Sequence, residues 1–520
     1  MGTGHGTDGA AVAYSLALVG LVVGLLASDS APRRYALAPL IAVPVAIVTA
    51  VGSALLLLAM PHVVSALGVR GALIGRATLM LMAGLVVGLW SPDRRVGHVV
   101  KRGTRIIDTP RTRRARRGGQ RGVLTLAGQP VPALDEAKHF KIIGTTGTGK
   151  STAIRGLLQG ALARGDRAVV ADPDGAYLAE FHDARHGDLI LNPFHPRSAS
   201  WDLFAELRDS YDGDLLARAL IPEQGGSDRA WRSYARTLLS CVIRQLARAG
   251  CRDVATMHQL VISAPVEELR ELLAATAAAP YLTDANTRFF ASVRAIASNQ
   301  VAALEHLTAR PNAEPLSVRR WVRNDEESAA RRVLFLPYRA SEIATLSPTI
   351  SAWLRLAIYE AMALGATDHR IWFFIDELDA LGAIDGLKDA LARLRKFGGR
   401  CVLGIQSIAQ VSGTYGTADA QTIVENCGNS LILRCSSGEN GGTAQFASRL
   451  IGDREIARQQ VSRSMGGPFG KPQRSKSVSQ QYLTESAVLP AELEQLPDLH
   501  GYLKFASTGA WLRVRVPLAL

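Results

Sequence analysis

The sequence predicts an α/β fold: a mostly parallel twisted sheet with helices on both faces, built around a phosphate-binding loop, interrupted by an all-α insertion domain and preceded by N-terminal transmembrane helices. Three observations carry this prediction. A Gly-x-x-x-x-Gly-Lys-Ser string stands between an apolar strand-like run and a helical stretch. Short β-type runs alternate with helical stretches on both sides of a long block that shows helical periodicity alone. Most of the long apolar runs lie before residue 91.

Those runs are Ala10–Ala27, Ala36–Met60 and Ala72–Trp90. About 20 apolar residues span a bilayer's hydrocarbon as a helix. The second run qualifies despite Pro44, and Arg76 in the third lies close enough to its start to snorkel. No Lys or Arg precedes the first run, which argues against a secretory signal peptide. After Trp90 come Arg94, Arg95, Lys101, Arg102, Arg105, Arg111, Arg113, Arg114, Arg116 and Arg117, a positive run that places this side in the cytoplasm. Three spans then put the N-terminus outside; two spans follow if one run is interfacial. The string GLVVG occurs at Gly20–Gly24 and at Gly84–Gly88, where glycines four apart let helix backbones approach closely.

The 520 residues carry a net charge of +13, which favours an anionic partner, nucleic acid or the inner leaflet. Much of the excess lies between Asp93 and Arg121, where a lipid-facing anchor and a DNA contact are both open readings. The five cysteines, Cys241, Cys251, Cys401, Cys427 and Cys435, form no CxxC pair, so thiols in a reducing cytoplasm are expected rather than zinc or disulfides.

Beyond the basic segment, strands are expected at His139–Ile143, Ala168–Ala171 and Leu189–Leu191, with a helix at Lys150–Ala163. From Trp201 to Pro311 the periodicity is helical, as in Trp231–Arg248 and Val266–Ala278. Strands return at Val333–Leu336, Ile371–Ile375, Cys401–Ile405, Leu431–Leu433, Tyr502–Ala506 and Leu512–Val516. Ser462–Gln481, rich in Ser, Gly, Gln and basic residues, reads as a long loop. The resulting division is a membrane anchor at 1–92, a basic cytoplasmic linker at 93–121, a nucleotide-binding domain in two parts at 122–200 and 313–520, and the all-α insertion at 201–312.

The phosphate loop is Gly144-Thr145-Thr146-Gly147-Thr148-Gly149-Lys150-Ser151, followed by Thr152. Glycines let backbone N–H groups turn inward around phosphates, and the helix N-terminus adds partial positive charge. Lys150 is placed to reach the β- and γ-phosphates of ATP, and the Ser151 hydroxyl to ligate Mg²⁺. The apolar run Ile371–Ile375 ends in Asp376 and Glu377, placing one acid beside the metal and the other near an attacking water. Gln406, at the end of Cys401–Ile405, reads either as a γ-phosphate sensor or as a polar strand cap.

With GTTGTGKST at Gly144–Thr152, DPDG at Asp172–Gly175 and LNPF at Leu191–Phe194, the chain resembles the type IV secretion coupling proteins, the ATPases of conjugal DNA transfer. SAWLRLAIYEA at Ser351–Ala361, FIDEL at Phe374–Leu378 and GIQSIAQ at Gly404–Gln410 extend that resemblance. It implies a RecA-like P-loop domain in a hexamer on the bacterial inner membrane, with the ATPase domain in the cytoplasm. It implies ATP and Mg²⁺ as cofactors, and relaxase-bound single-stranded DNA and the secretion channel as partners. Gln406 matches the family's third motif. Arg395 matches an arginine proposed to reach a neighbouring subunit's nucleotide, although Arg393, Lys396 and Arg400 make a basic helix face an alternative. The family's usual anchor has two spans. No acidic C-terminal tail of the kind some members use for docking is seen, so cargo selection is expected elsewhere, with the insertion as a candidate.

Within the insertion Arg229, Arg232, Arg236, Arg244 and Arg248 fall on one side of a helix, opposite Trp231, Leu238, Leu239, Val242 and Leu246. A solvated face and a DNA-binding, phosphate-tracking surface are both open readings. Competing functions are a receptor for protein effectors, a chromosome-segregation DNA translocase, and a membrane scaffold that binds nucleotide with little turnover. An ABC transporter is disfavoured because no LSGGQ-like string occurs.

Overall fold

The computed structural model describes residues 5–27, 32–59, 74–75, 77–87, 99–109, 123–222, 228–307, 315–323, 333–365, 370–438, 442–465 and 474–518. The chain divides into two units, Met1–Val99 with Ile456–Leu483, and Val100–Glu455 with Thr484–Leu520.

In the first unit, α1 (His5–Ala27) packs on α2 (Pro32–Ala59) through Leu21, Leu25, Ala38 and Ala42, and the Tyr14 hydroxyl donates to the Pro39 carbonyl at 3.2 Å. Residues 77–87 are also helical. A Cβ on Gly20 would overlap the Leu81 carbonyl oxygen, and one on Gly84 the Ala17 carbonyl oxygen. The first glycine of each GLVVG string thus sits at a backbone-to-backbone approach that a side chain would block. Among the described residues no helix is long and apolar enough to cross a membrane. The expectation of two or three N-terminal transmembrane helices is therefore not supported among the described residues, and Arg76 with most of the third run's flanks lies outside them.

The main sheet of the second unit has ten strands. They are β1 (Ile106–Asp108), β2 (Phe140–Ile143), β3 (Arg167–Pro173), β4 (Leu189–Ile190) and β5 (Val333–Tyr338), then β6 (Ile371–Ile375), β7 (Gly399–Ile405), β8 (Asn429–Ile432), β9 (His500–Lys504) and β10 (Trp511–Arg515). Their order is β1-β10-β9-β8-β2-β7-β6-β3-β5-β4. Neighbours from β8 to β4 are parallel, β9 runs antiparallel to β8 and β10, and β10 is parallel to β1.

The central strands read as continuous apolar runs because both faces are covered. Trp372 and Phe374 of β6 enter one core cluster, with Ile154, Leu157, Leu158 and Ala161 of α3 (Lys150–Ala163). Ile371, Phe373 and Ile375 enter the other, with the insertion and Trp353, Leu356 and Ala357 of α11 (Ile343–Ala363). Truncating any of these buried aromatics to Ala would cost about 3–5 kcal/mol.

From Leu203 to Leu307 every described element is helical, including α5 (Asp212–Leu220), α6 (Arg229–Arg248), α7 (Val254–Ile262), α8 (Val266–Leu273) and α9 (Thr287–Val301). At the root of this block Ser200–Trp201 pairs in parallel with Pro315–Leu316. Buried Glu206 accepts hydrogen bonds there from Trp201 Nε1, Ser317 Oγ and the backbone N–H groups of Val318 and Arg319, the last two at the start of α10 (Val318–Arg323). Burial raises the pKa of the Glu206 carboxyl, and these four donors work against that rise.

Two segments differ from expectation. The stretch Ser462–Gln481 is not all loop: Asp453–Met465 and Arg474–Ser486 are strands in a three-stranded sheet with Val99–Gly103, and residues 466–473 lie outside the described residues. Polar residues with no apolar alternation concealed these strands, whose pairing is a backbone matter. The basic linker likewise contributes β1 to the edge of the main sheet, while Arg94, Arg95 and Arg111–Arg117 lie outside the described residues.

Candidate nucleotide site

The phosphate loop leaves β2 at the middle of the sheet, where β8 and β7 flank it on either side. Gly144 N–H donates to the Ile405 carbonyl at 3.1 Å and Thr145 N–H to the Arg434 carbonyl at 2.9 Å, so both neighbouring strand ends tether the loop. Gly147 and Gly149 take φ of +76° and +107°, a region that favours glycine. A Cβ on Gly149 would also lie 2.6 Å from Leu499 Cδ2, and Leu499 N–H donates to the Thr148 carbonyl at 2.9 Å. The turn before β9 therefore braces the loop from outside, a contact that the motif alone does not reveal.

Lys150 Nζ donates to the carbonyls of Gly144 and Thr145, at 2.8 and 3.1 Å. Burial lowers its pKa, while Asp376, Glu377 and Asp379 favour the charged form. Thr148 Oγ1 closes the loop on the Thr145 carbonyl at 2.7 Å, and Thr152 is half-buried in the first turn of α3. Ser151 Oγ donates to Asp376 Oδ2 at 2.8 Å. Asp376 is 4% exposed, and its Oδ1 is buried without a hydrogen-bond partner. A buried carboxylate that meets a serine hydroxyl at the phosphate loop and keeps one oxygen unpartnered suits Mg²⁺.

Glu377 follows in the left-handed region at φ +60°, rare for a side chain with a Cβ and typical of strained functional positions. Burial first, and the Asp376 charge second, raise its carboxyl pKa. Gln406 leaves the end of β7 and its Nε2 donates to Thr146 Oγ1, so its carboxamide touches the phosphate loop. Lys150, Ser151, Asp376, Glu377 and Gln406 are thus gathered at the C-terminal ends of β2, β6 and β7.

Sequence reading gave no site role to Asp172 or Tyr177. Asp172 accepts from the N–H groups of Tyr177 and Leu178, and burial pushes its carboxyl pKa up to about 6. The Tyr177 hydroxyl donates to Asp376 Oδ2 at 2.8 Å. The available signal was the Asp-Gly turn between strand and helix, which points the helix back towards the sheet.

Arg395 stands apart from this group. It begins a 3₁₀ turn, Arg395–Phe397, after α12 (Leu387–Leu394) and just ahead of β7, whereas Gln406 follows β7. At about 3.3 Å per residue, a strand of this length separates Arg395 from its own phosphate loop by roughly 20 Å. Nearby, His139 receives Cys401 N–H on Nδ1 at 3.0 Å and donates from Nε2 to the Leu391 carbonyl at 2.9 Å. Burial, with the Arg400 and Arg395 charges, lowers its pKa to about 4.

The arginine stripe on α6 is partly occupied within the chain. Arg236 Nε donates to the Ile221 carbonyl at 2.6 Å, and Arg244 lies 3.8 Å from Asp214. Arg232 is half-buried, and Arg229 and Arg248 are exposed. The stripe therefore helps fasten α5 to α6, a role that spacing alone could not distinguish from a free basic face.

A family model described as "Type IV secretion-system coupling protein DNA-binding domain" matches residues 123–517. The chain belongs to the type IV secretion-system coupling proteins. This coupling protein is 31% identical over 406 residues to Coupling protein TraD of Escherichia coli (strain K12), covering 77% of this chain and 56% of that one. It thus spans little more than half the length of that relative. The bacterial conjugative coupling protein TrwB, in its unbound monoclinic form, superposes with a TM-score of 0.71 at 30% identity over 82% of this chain and 94% of that one. TrwB in complex with ADP and Mg²⁺ gives 0.70 at 30% identity over 82% and 95%. The coupling protein therefore shares the TrwB-like α/β P-loop fold with a mixed, largely parallel sheet.

Proposed function

We propose that this coupling protein is an ATP-driven DNA motor that recruits relaxase-bound single-stranded DNA to a type IV secretion channel and drives conjugative transfer. The observation that carries the ATPase reading is the gathering of Lys150, Ser151, Asp376, Glu377 and Gln406 at adjacent parallel strand ends. Lys150 would exchange the Gly144 and Thr145 carbonyls for β- and γ-phosphate oxygens. Ser151 and Asp376 would hold Mg²⁺, which when bound offsets phosphate charge. The raised pKa of Glu377 suits a base that orients and activates the attacking water. Gln406, already touching the loop, would sense whether a γ-phosphate is present.

Arg395 is too far along β7 to serve its own nucleotide, which favours a role across a subunit boundary in a hexameric ring. DNA as cargo is supported by the family's DNA-binding domain, the +13 charge and exposed Arg229 and Arg248, with Arg232, Arg236 and Arg244 behind them. Placement on the bacterial inner membrane, with the ATPase on the cytoplasmic side, is supported by the apolar runs and the basic segment after Trp90. Recovery of the full chain with inner-membrane vesicles, resistant to carbonate, tests that placement; recovery in the soluble fraction refutes it.

The cargo test measures ATP hydrolysis by purified full-length protein with and without single-stranded DNA. DNA should bind without strong sequence preference and raise turnover. Affinity should fall by roughly 0.7 log units per log unit of salt for each phosphate neutralised. Turnover with no DNA binding at low salt would sink the DNA reading and favour the protein-effector receptor.

A further inference from the structure

The contact between Tyr177 and Asp376 is built by an unusual route. β3 ends at Asp172-Pro173, and the chain reverses through Asp174 and Gly175 at φ +57° and +71°, two left-handed residues in succession. The helix Ala176–Phe181 (α4) starts directly after them. The Asp172 carboxylate holds its first turn, accepting from Tyr177 N–H at 3.1 Å and Leu178 N–H at 2.7 Å. Ala171 is in register with Ile375, the last residue of β6, while β3 continues through Asp172 and Pro173, and the Tyr177 hydroxyl reaches back to Asp376.

Tyr177 is 1% exposed, and its ring lies 5.7 Å from the guanidinium of Arg155. Asp376 Oδ2 thus has two donors, Ser151 and Tyr177, while Oδ1 has none. The two donors are not equivalent. Ser151 is the hydroxyl expected to turn to the metal, whereas Tyr177 is held by Asp172 and its own burial.

We propose that Tyr177 is a positioning residue for magnesium: its hydroxyl pins Asp376 Oδ2 beside Ser151 and so fixes the carboxylate for the metal that arrives with the nucleotide. This rests on the assignment of Asp376 as the metal-side acid. Outer hydrogen-bond partners of metal ligands commonly set affinity by about 10–100-fold. Tyr177→Phe deletes the hydroxyl and keeps the ring under Arg155, so the fold is retained and the carboxylate loses its fixed donor.

The test uses the full chain and two readouts besides turnover. One is the Mg²⁺ concentration for half-maximal binding of a fluorescent ATP analogue; the other is Mn²⁺ affinity by electron paramagnetic resonance with nucleotide present. Tyr177→Phe should raise the metal requirement about tenfold and leave metal-free nucleotide affinity unchanged. In an Asp376→Asn background the same substitution should add nothing. An unchanged metal requirement overturns the proposal, as does an equal loss of metal-free binding or a full additional effect in the Asp376→Asn protein. Absence of any metal-dependent ATP binding in the parent chain would instead overturn the ATPase reading itself.

Discussion

Gly404 lies within β7, beside Ile142 of β2, and a Cβ there would stand 2.5 Å from Asp376 Oδ1, 3.2 Å from Asp376 Cα and 3.3 Å from the Glu377 nitrogen. The strand conformation itself accepts alanine, so Gly404→Ala is a steric probe aimed at one oxygen. Restoring an ordinary contact near 3.5 Å requires about 1 Å of displacement, and two of the three opposing atoms are backbone. Overpacking of this kind costs about 1–3 kcal/mol of stability. A misplacement of about 1 Å in a phosphoryl-transfer site lowers turnover roughly 100-fold. The assay is steady-state ATP hydrolysis over a magnesium titration, beside a thermal melt and a metal-free nucleotide-binding measurement. The expected result is a small fall in melting temperature, retained metal-free binding and a loss of turnover that excess magnesium does not restore. A Gly404→Ala protein that turns over at the parent rate with the same magnesium requirement would refute the claim that the placement of the Asp376 carboxylate governs metal-dependent turnover.

Lys150→Ala and Glu377→Gln should each abolish hydrolysis, but the Glu377→Gln protein should still bind ATP, because the loop and metal ligands remain. Parent-rate hydrolysis by it would remove Glu377 from its role. Inactive Arg395→Ala mixed with inactive Lys150→Ala should recover partial activity, since some boundaries would pair an intact loop with an intact arginine; no recovery in verified mixed oligomers counts against action in trans. For Asp172 the folded pKa of about 6 exceeds the ordinary value near 3.8, so its contribution to stability is fully present below the latter and lost as pH rises through the former. Between pH 4.5 and 7.5 that loss amounts to about 2 kcal/mol. Denaturant titrations at the two pH values should show Asp172→Asn gaining on the parent by that amount, and a pH-independent difference would contradict the assignment.

The phosphate loop, Asp376, Glu377 and the central strands were legible because each is specified locally. Gly147, Gly149 and Lys150 encode a backbone path, and runs such as Ile371–Ile375 encode burial on two faces. Gln406 was half-legible: its place at a strand end followed from pattern, but its contact with Thr146 needs the register of β2 against β7. Tyr177 and Leu499 were invisible because each acquires its role from a residue far along the chain. The strands Asp453–Met465 and Arg474–Ser486 were missed because paired polar strands carry no apolar period. Arg236 and Arg244 looked like a free basic stripe, since helical spacing reports which side a residue takes and not what already stands there.

β7 has Arg395 just ahead of it and Gln406 directly behind it, and it is hydrogen-bonded to a parallel neighbour on each side. Such a strand is stiff along its length and transmits displacement rather than absorbing it. In a ring of these chains, one end would touch the chain's own γ-phosphate while the other faced the adjoining subunit's nucleotide. Departure of phosphate at one boundary would then shift the arginine at the next. If the proposed ring forms, this single strand would be the connecting rod between Gln406 at the chain's own phosphate loop and Arg395 at the boundary.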